Sequence, residues 1–145
     1  MSTMKDILAV KGSQVWTIDQ DACVLDAVFR MKENKIGALV VTDQNQLAGI
    51  FTERDVLHKV VGARRDPAQT RVSEVMTTEL FCCRPETTVD EARAAMRDRR
   101  VRHLPVMDGD GRMIGLVSIG DLNAHRLTSQ EQTIYMLHEY LYGRA

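Results

Sequence analysis

Residues 49–55 read GIFTERD, and residues 115–121 read GLVSIGD. Each is glycine, two apolar residues, Thr or Ser, two variable residues and then Asp. Working outward, VLDAVFRMKENKIGALVV (24–41) lies against VDEARAAMRDRRVRHLPV (89–106) at an offset of 65. Ala27 falls on Ala92, Met31 on Met96, Ile36 on Val101, Leu39 on Leu104 and Val41 on Val106. VWTI (15–18) meets LFCC (80–83) at the same offset. The offset becomes 66 between TDQNQLAG (42–49) and MDGDGRMIG (107–115), where one extra residue fits a surface turn. The chain is an internal duplication, and that decides the fold class before any single element does. Two copies are too few for a solenoid, so two halves related by a pseudo-twofold axis are expected.

The elements follow from periodicity. VWTI and LFCC are short apolar runs, read as strands. Val24, Ala27, Val28 and Met31 recur at helical spacing and predict a helix with one buried face; Val89, Ala92 and Met96 repeat it. Thr88 and Glu91 form a capping box at the second of these helices, whereas Cys23, at the matching position, is a poor cap. ALVVT (38–42) with LAGIF (47–51), and HLPVM (103–107) with RMIGLVS (112–118), predict hairpins over turn-rich tips. A second helix follows each, over 53–61 and 119–127. The expected class is mixed α/β (α+β): two β-α-β-β-α repeats packed pseudo-symmetrically into one module, with an added C-terminal helix. Repeat 1 covers 4–61, a polar linker GARRDPAQTR covers 62–71, repeat 2 covers 72–128, and an amphipathic helix covers 129–143.

Bulk composition narrows the function. At 145 residues the chain holds one ordinary domain or two small ones that share a core. A net charge of -1 gives no general attraction to nucleic acid or anionic membrane. No apolar run reaches the roughly 20 residues of a membrane helix, and MSTMKDILAVKGS lacks a long apolar core, so no signal peptide is expected. Three cysteines, two of them adjacent, form neither a disulfide framework nor a zinc spacing; a cytoplasmic location is expected.

The doubled phrase has two readings. Thr52-x-x-Asp55 and Ser118-x-x-Asp121 have the spacing of helix-capping boxes. Against pure capping stand the repetition of the phrase, and Gly49 and Gly115 in strands, where something approaching closely would explain a glycine. A strand-to-helix junction also offers free N–H groups and a helix dipole to a phosphate.

The β-α-β-β-α repeat, the glycine-led [ST]-x-x-D ending, TERD in copy one and HLPV in copy two resemble tandem cystathionine β-synthase (CBS) domains. The resemblance runs from about Met4 to Leu127. It implies a disc-shaped regulatory module with two clefts that commonly bind AMP, ADP or ATP, and sometimes NAD or S-adenosylmethionine. Carried onto this sequence, Asp55 and Asp121 would hold ribose. Thr52 and Ser118, with Arg54, would hold phosphate. Thr17, Ile18, Gly37, Ala38 and Leu39 would enclose adenine in copy one; Cys82, Cys83, Arg102, His103 and Leu104 would do so in copy two. Arg102 and His103 replace the neutral Gly37 and Ala38, and Gly120 stands where copy one has Arg54, so the two sites are expected to differ.

No nucleophile with a positioned base, metal set or P-loop stands out, so a binding module rather than an enzyme is expected. AMP or ATP is the default ligand and NAD remains open. A homodimer and a separate target protein are the expected partners. Alternative readings are a docking scaffold in which the Asp residues only cap helices, a nucleic-acid binder using RDRRVRH (97–103), and an enzyme using a cysteine. The nucleic-acid reading is weakened by the lack of aromatics around that patch. His58, His125 and His138 have no partner at metal or catalytic spacing. In the C-terminal helix, Ile134, Leu137 and Leu141 form a stripe that suits packing on the module or on a second copy equally well.

Overall fold

The structure, a computed structural model, describes residues 1–126 together with positions 134, 137, 138, 140 and 141. In chain order its elements are α1 (Met4–Lys11), β1 (Thr17–Asp19), α2 (Val24–Asn34), β2 (Ala38–Asp43) and β3 (Gln46–Thr52). Then come α3 (Glu53–Asp55) with a π-helical continuation (Val56–Val61), α4 (Val72–Val75), α5 (Val89–Arg99), β4 (His103–Met107), β5 (Met113–Ser118) and α6 (Ile119–Arg126). The expected helix over 129–143 lies mostly outside the described residues; Ile134, Leu137 and Leu141 of its stripe are helical and exposed. The chain divides into two compact units, Gln14–Phe81 and Met1–Ser13 with Cys82–Ala145.

In the unit Gln14–Phe81, β1 runs parallel to β2 and β2 antiparallel to β3, placing Ile18 beside Val41 and Leu39 beside Phe51. Gln44 and Asn45 turn the hairpin with φ of 51 and 66, as a two-residue turn matched to strand twist requires. Val24, Ala27 and Met31 form the buried face of α2 and join Ile18, Leu39, Val41, Phe51, Val60, Val72 and Val75 in one core. Each large side chain fully buried there contributes about 1.5–3 kcal/mol relative to exposure. Cys23 makes no side-chain cap. The stretch 62–71 compensates, because Thr70 O accepts from Val24 N–H at 2.8 Å and Pro67 O from Leu25 N–H at 3.1 Å. What reads as a polar linker is therefore structural, with Thr70 buried. The second helix of this copy is α-helical only over its first three residues and π-wound thereafter, not regular over 53–61 as expected.

In the other unit β4 pairs antiparallel with β5, His103 opposite Ser118 and Leu104 opposite Val117. The extra residue of copy two sits in its hairpin tip, where Asp108 N–H bonds Arg112 O and Gly111 takes φ 77. The capping box of α5 is made: Thr88 Oγ1 accepts from Glu91 N–H at 3.1 Å, and the Glu91 carboxylate accepts from Thr88 N–H at 3.3 Å.

LFCC does not form a strand. Only Cys83 bridges to Val106. Two prolines explain this. In copy one, Val40 N–H donates to Trp16 O and Gln20 N–H to Thr42 O, at the two ends of the β1–β2 ladder. The matching positions are Pro105 and Pro85, which have no N–H. Two backbone bonds of Cys83 remain, its N–H to Pro105 O and Met107 N–H to Cys83 O.

Two helices escape the repeat pattern, α1 and α4. Each precedes one repeat yet completes the unit of the other. α1 buries Met4, Ile7 and Leu8, and Met4 N–H bonds Thr87 O while Val89 N–H bonds Ser2 O. α4 buries Val72 and Val75, and Val72 N–H bonds Ala22 O. These segments also account for the paired glycines. A Cβ on Gly49 would stand 2.7 Å from Thr77 O, and one on Gly115 would stand 2.6 Å from Leu8 Cδ2. The close approach is by the protein's own chain, not a reserved space for a ligand. Gly49→Ala is expected to cost about 2–3 kcal/mol in urea unfolding, because it meets backbone; Gly115→Ala should cost less, because the Leu8 side chain can turn away. Equal costs would contradict this account.

Candidate functional site

The first junction is built where β3 runs into α3. Ala38 lies opposite Thr52, and Glu53 N–H bonds Gly37 O at 3.0 Å. Thr52 Oγ1 accepts from Asp55 N–H at 3.2 Å, and Asp55 Oδ2 accepts from Thr52 N–H at 3.0 Å. This is the capping box read from the sequence. Asp55 does more. Its Oδ1 takes the Thr77 hydroxyl at 3.1 Å and the Lys59 ammonium at 2.9 Å, and the residue is only 5% exposed. Both carboxylate oxygens are therefore engaged inside the protein. Arg54 is exposed, and Glu53 Oε1 lies 3.2 Å from where a Cβ on Gly37 would be, which brings negative charge to this junction. Thr17 is exposed but its carbonyl accepts from the Arg30 guanidinium; Ile18, Ala38 and Leu39 are buried.

The second junction has the same frame and a different lining. His103 lies opposite Ser118, and Ile119 N–H bonds Arg102 O at 2.9 Å. Asp121 N–H donates to Ser118 Oγ at 3.1 Å, and Ser118 N–H donates to Asp121 Oδ2 at 2.8 Å. Lys11, from the last turn of α1, donates to the same Oδ2 at 2.5 Å and to Leu116 O at 2.7 Å. Among the described residues nothing hydrogen-bonds Asp121 Oδ1, and the side chain is 25% exposed. Arg102 is exposed, His103 and Ser118 are partly so, and Leu104 is buried. Ile119 replaces the acidic Glu53.

Burial alone would raise the Asp121 pKa. The Lys11 ammonium and the Ser118 N–H outweigh it and hold the carboxyl below its ordinary value. The cysteines move the other way. Burial raises Cys82, and burial with the neighbouring Cys82 pushes Cys83 up to about 11. Raised thiols are the opposite of an activated nucleophile. Among the described residues no group of three His, Cys, Asp or Glu could hold a metal ion, and no helix is long and apolar enough to cross a membrane.

The structure thus brings Gly37, Ala38, Thr52 and Asp55 together in one unit, and Arg102, His103, Ser118 and Asp121 together in the other. Sequence reasoning missed Glu53, Lys59, Thr77 and Lys11. The Asp55–Lys59 spacing of four was available as a helical ion pair. Lys11 and Thr77 arrive from segments outside their unit's own repeat, and no local pattern points to them.

A family model described as CBS domain matches residues 4–62 and 72–127. The chain belongs to the CBS domain family. It is a tandem CBS-domain protein of the regulatory or signalling kind. Over 98% of its length it is 39% identical to the mitochondrial CBS domain-containing protein CBSX3 of Arabidopsis thaliana, covering 73% of that protein. Over 90% of its length it is 33% identical to the CBS domain-containing protein YhcV of Bacillus subtilis, covering 89% of it. A solved structure, a putative signal-transduction protein with CBS domains from Burkholderia ambifaria, superposes with a TM-score of 0.85 at 42% identity, over 89% of this chain and 96% of that one.

The two CBS aspartates should respond differently. Asp55→Ala leaves Lys59 and Thr77 without their buried partner and is expected to cost about 2–3 kcal/mol. Asp121 is stabilising in its charged form, so its contribution is complete above the unfolded carboxyl value of about 3.9 and is lost as pH falls through its lower folded value. The stability gap between wild type and Asp121→Asn should therefore be full at about pH 6 and close at strongly acidic pH. A gap independent of pH would show that the charge contributes nothing.

Proposed function

We propose that this CBS pair binds an adenine nucleotide at the junction of its second repeat and acts by regulating, not by catalysing. The observation that carries the reading is the contrast between the two aspartates: Asp121 keeps one carboxylate oxygen open beside Arg102 and His103, whereas Asp55 is saturated and Glu53 stands nearby. In the proposed complex Asp121 Oδ1 accepts from a ribose hydroxyl. Ser118 and the N-terminal N–H groups of α6 meet the phosphate, with Arg102 adding charge. Thr17, Ile18, Gly37, Ala38, Leu39, Thr52 and Arg54 then frame a first junction that takes ligand weakly or not at all. AMP and ATP are the leading candidates, followed by ADP and NAD, and one molecule per chain is the expected stoichiometry.

Regulation requires that the ligand prefer one of two states of the chain or its assembly. The exposed Ile134, Leu137 and Leu141 suit a second copy of the chain, so a homodimer is the proposed assembly. A reducing compartment suits the three free cysteines Cys23, Cys82 and Cys83. A second reading, that the module is a docking scaffold, is favoured by one observation: both Ser/Thr–Asp pairs do cap their helices.

Thermal melting against AMP, ADP, ATP, NAD, NADH and S-adenosylmethionine separates the readings. A ligand at a hundredfold excess over Kd adds about 2.7 kcal/mol, a shift of several degrees for a protein of this size. The shift is expected with at least one adenine ligand. It should vanish in Asp121→Ala and persist in Asp55→Ala from a lower starting temperature. No shift with any ligand would leave the scaffold; a shift lost only in Asp55→Ala would move the site to the first repeat.

A further inference from the structure

The second junction is occupied already, by a residue from outside its repeat. Lys11 closes α1 and reaches across to Leu116 O at 2.7 Å and Asp121 Oδ2 at 2.5 Å. α1 itself is anchored through Met4, Ile7 and Leu8, so Lys11 reaches from a fixed base. Gly12 follows directly with φ 91, a left-handed value that ends the helix and leaves the Lys11 side chain at its rim. The Lys11 side chain is 33% exposed, so it can leave the carboxylate for solvent without unpacking the helix.

The first junction offers no equivalent. There the Asp55 carboxylate, 7% exposed, pairs with Lys59 one turn along its own helical segment and takes a hydrogen bond from the Thr77 hydroxyl, so the difference lies in the burial of the carboxylate, not of the lysine. That arrangement is permanent architecture. The Lys11–Asp121 pair is partly exposed, and its two partners come from segments 110 residues apart. It is the kind of ion pair that exchanges readily with a competing donor.

We infer that Lys11 is an internal competitor for the ligand of the second repeat: its ammonium holds the carboxylate oxygen that a ribose diol must share, so ligand entry expels Lys11 and frees the last turn of α1. The inference rests on the reading of Asp121 as a hydroxyl-binding residue. Its physical basis is the geometry of a carboxylate. A vicinal diol donates two hydrogen bonds, which two carboxylate oxygens accept best together. Oδ1 is open and Oδ2 carries Ser118 N–H and Lys11. Removing the ammonium frees one acceptor position on Oδ2, Ser118 remaining in place. Expulsion also gives occupancy a mechanical output, because a side chain pinned at two points on β5 and α6 becomes mobile when the site fills.

The test uses adenosine, which carries the diol without a phosphate, and AMP, measured by calorimetric titration on the full chain. Lys11→Met and Lys11→Gln keep most of the aliphatic stem and remove the charge. Both are expected to bind adenosine about two- to fivefold more tightly than wild type, the range set by a weak, partly exposed ion pair. Lys11→Arg keeps a cation and should bind like wild type. If wild type binds adenosine or AMP and the Met and Gln variants bind adenosine equally or more weakly, the competitor role is overturned while the nucleotide reading stands. If neither wild type nor any variant binds either compound, the nucleotide reading falls and the inference falls with it. Hydrogen exchange gives an independent readout: saturating AMP should speed exchange at the Gly12 amide, which bonds Leu8 O, and slower or unchanged exchange there would contradict release of the helix end.

Discussion

The structure depends on an exchange of leading segments. Each repeat's unit is completed by the segment that precedes the other repeat: the first as one contiguous stretch, Gln14–Phe81, the second from two, Met1–Ser13 and Cys82–Ala145. Residues 72–77 close the unit of the first repeat, with Thr77 pairing in both directions with Ile50. Residues 2–11 close the unit of the second, with Leu8 against Gly115 and Ser2 O taking the free Val89 N–H. The constraint acts at atomic scale through two glycines. Any side chain at Gly49 would collide with a backbone carbonyl, which cannot rotate out of the way. The doubled phrase of the sequence is thus partly a packing signature. Its glycine receives the exchanged segment, and its Asp receives a polar group carried by that segment, Thr77 in one unit and Lys11 in the other.

This explains why some of the fold was legible and some was not. The α2 and α5 faces follow from residues three and four apart, and the structure buries Val24, Ala27, Met31, Val89, Ala92 and Met96 accordingly. The hairpins follow from turn chemistry at QN and DGDG. What failed was non-local or subtractive. LFCC has the composition of a strand, but Pro85 and Pro105 remove the donors at both ends of its ladder, and Pro105 is distant in sequence. α1 and α4 are short, and their burial is meaningful only once the partner unit is known. The stretch 62–71 is polar in side chains, yet its backbone carbonyls cap α2, a role that carries no side-chain signal.

The candidate site divides in the same way. The [ST]-x-x-D pairs were legible as caps, and they are caps. The difference between copies was visible in Arg102 and His103 against Gly37 and Ala38. The decisive difference lay elsewhere, in what else each Asp touches. Lys59 was within reach of a helical-spacing argument. Thr77 and Lys11 were not, because duplication aligns each repeat with itself and hides a residue donated by the segment before the other repeat.

Duplication followed by divergence has a chemical consequence here. Two copies of one capping motif start with two equivalent carboxylates. A carboxylate buried with several donors becomes a fixed part of the core, since removing any donor leaves a buried charge short of partners. A carboxylate that is itself partly exposed, held by Ser118 and by one long side chain from a distant segment, retains exchangeable capacity. Asp55 has taken the first course through Lys59 and Thr77, and Asp121 the second through Lys11. One carboxylate is then fixed in the core and the other stays partly exposed, held by a lysine at the end of a helix belonging, by sequence, to the opposite half.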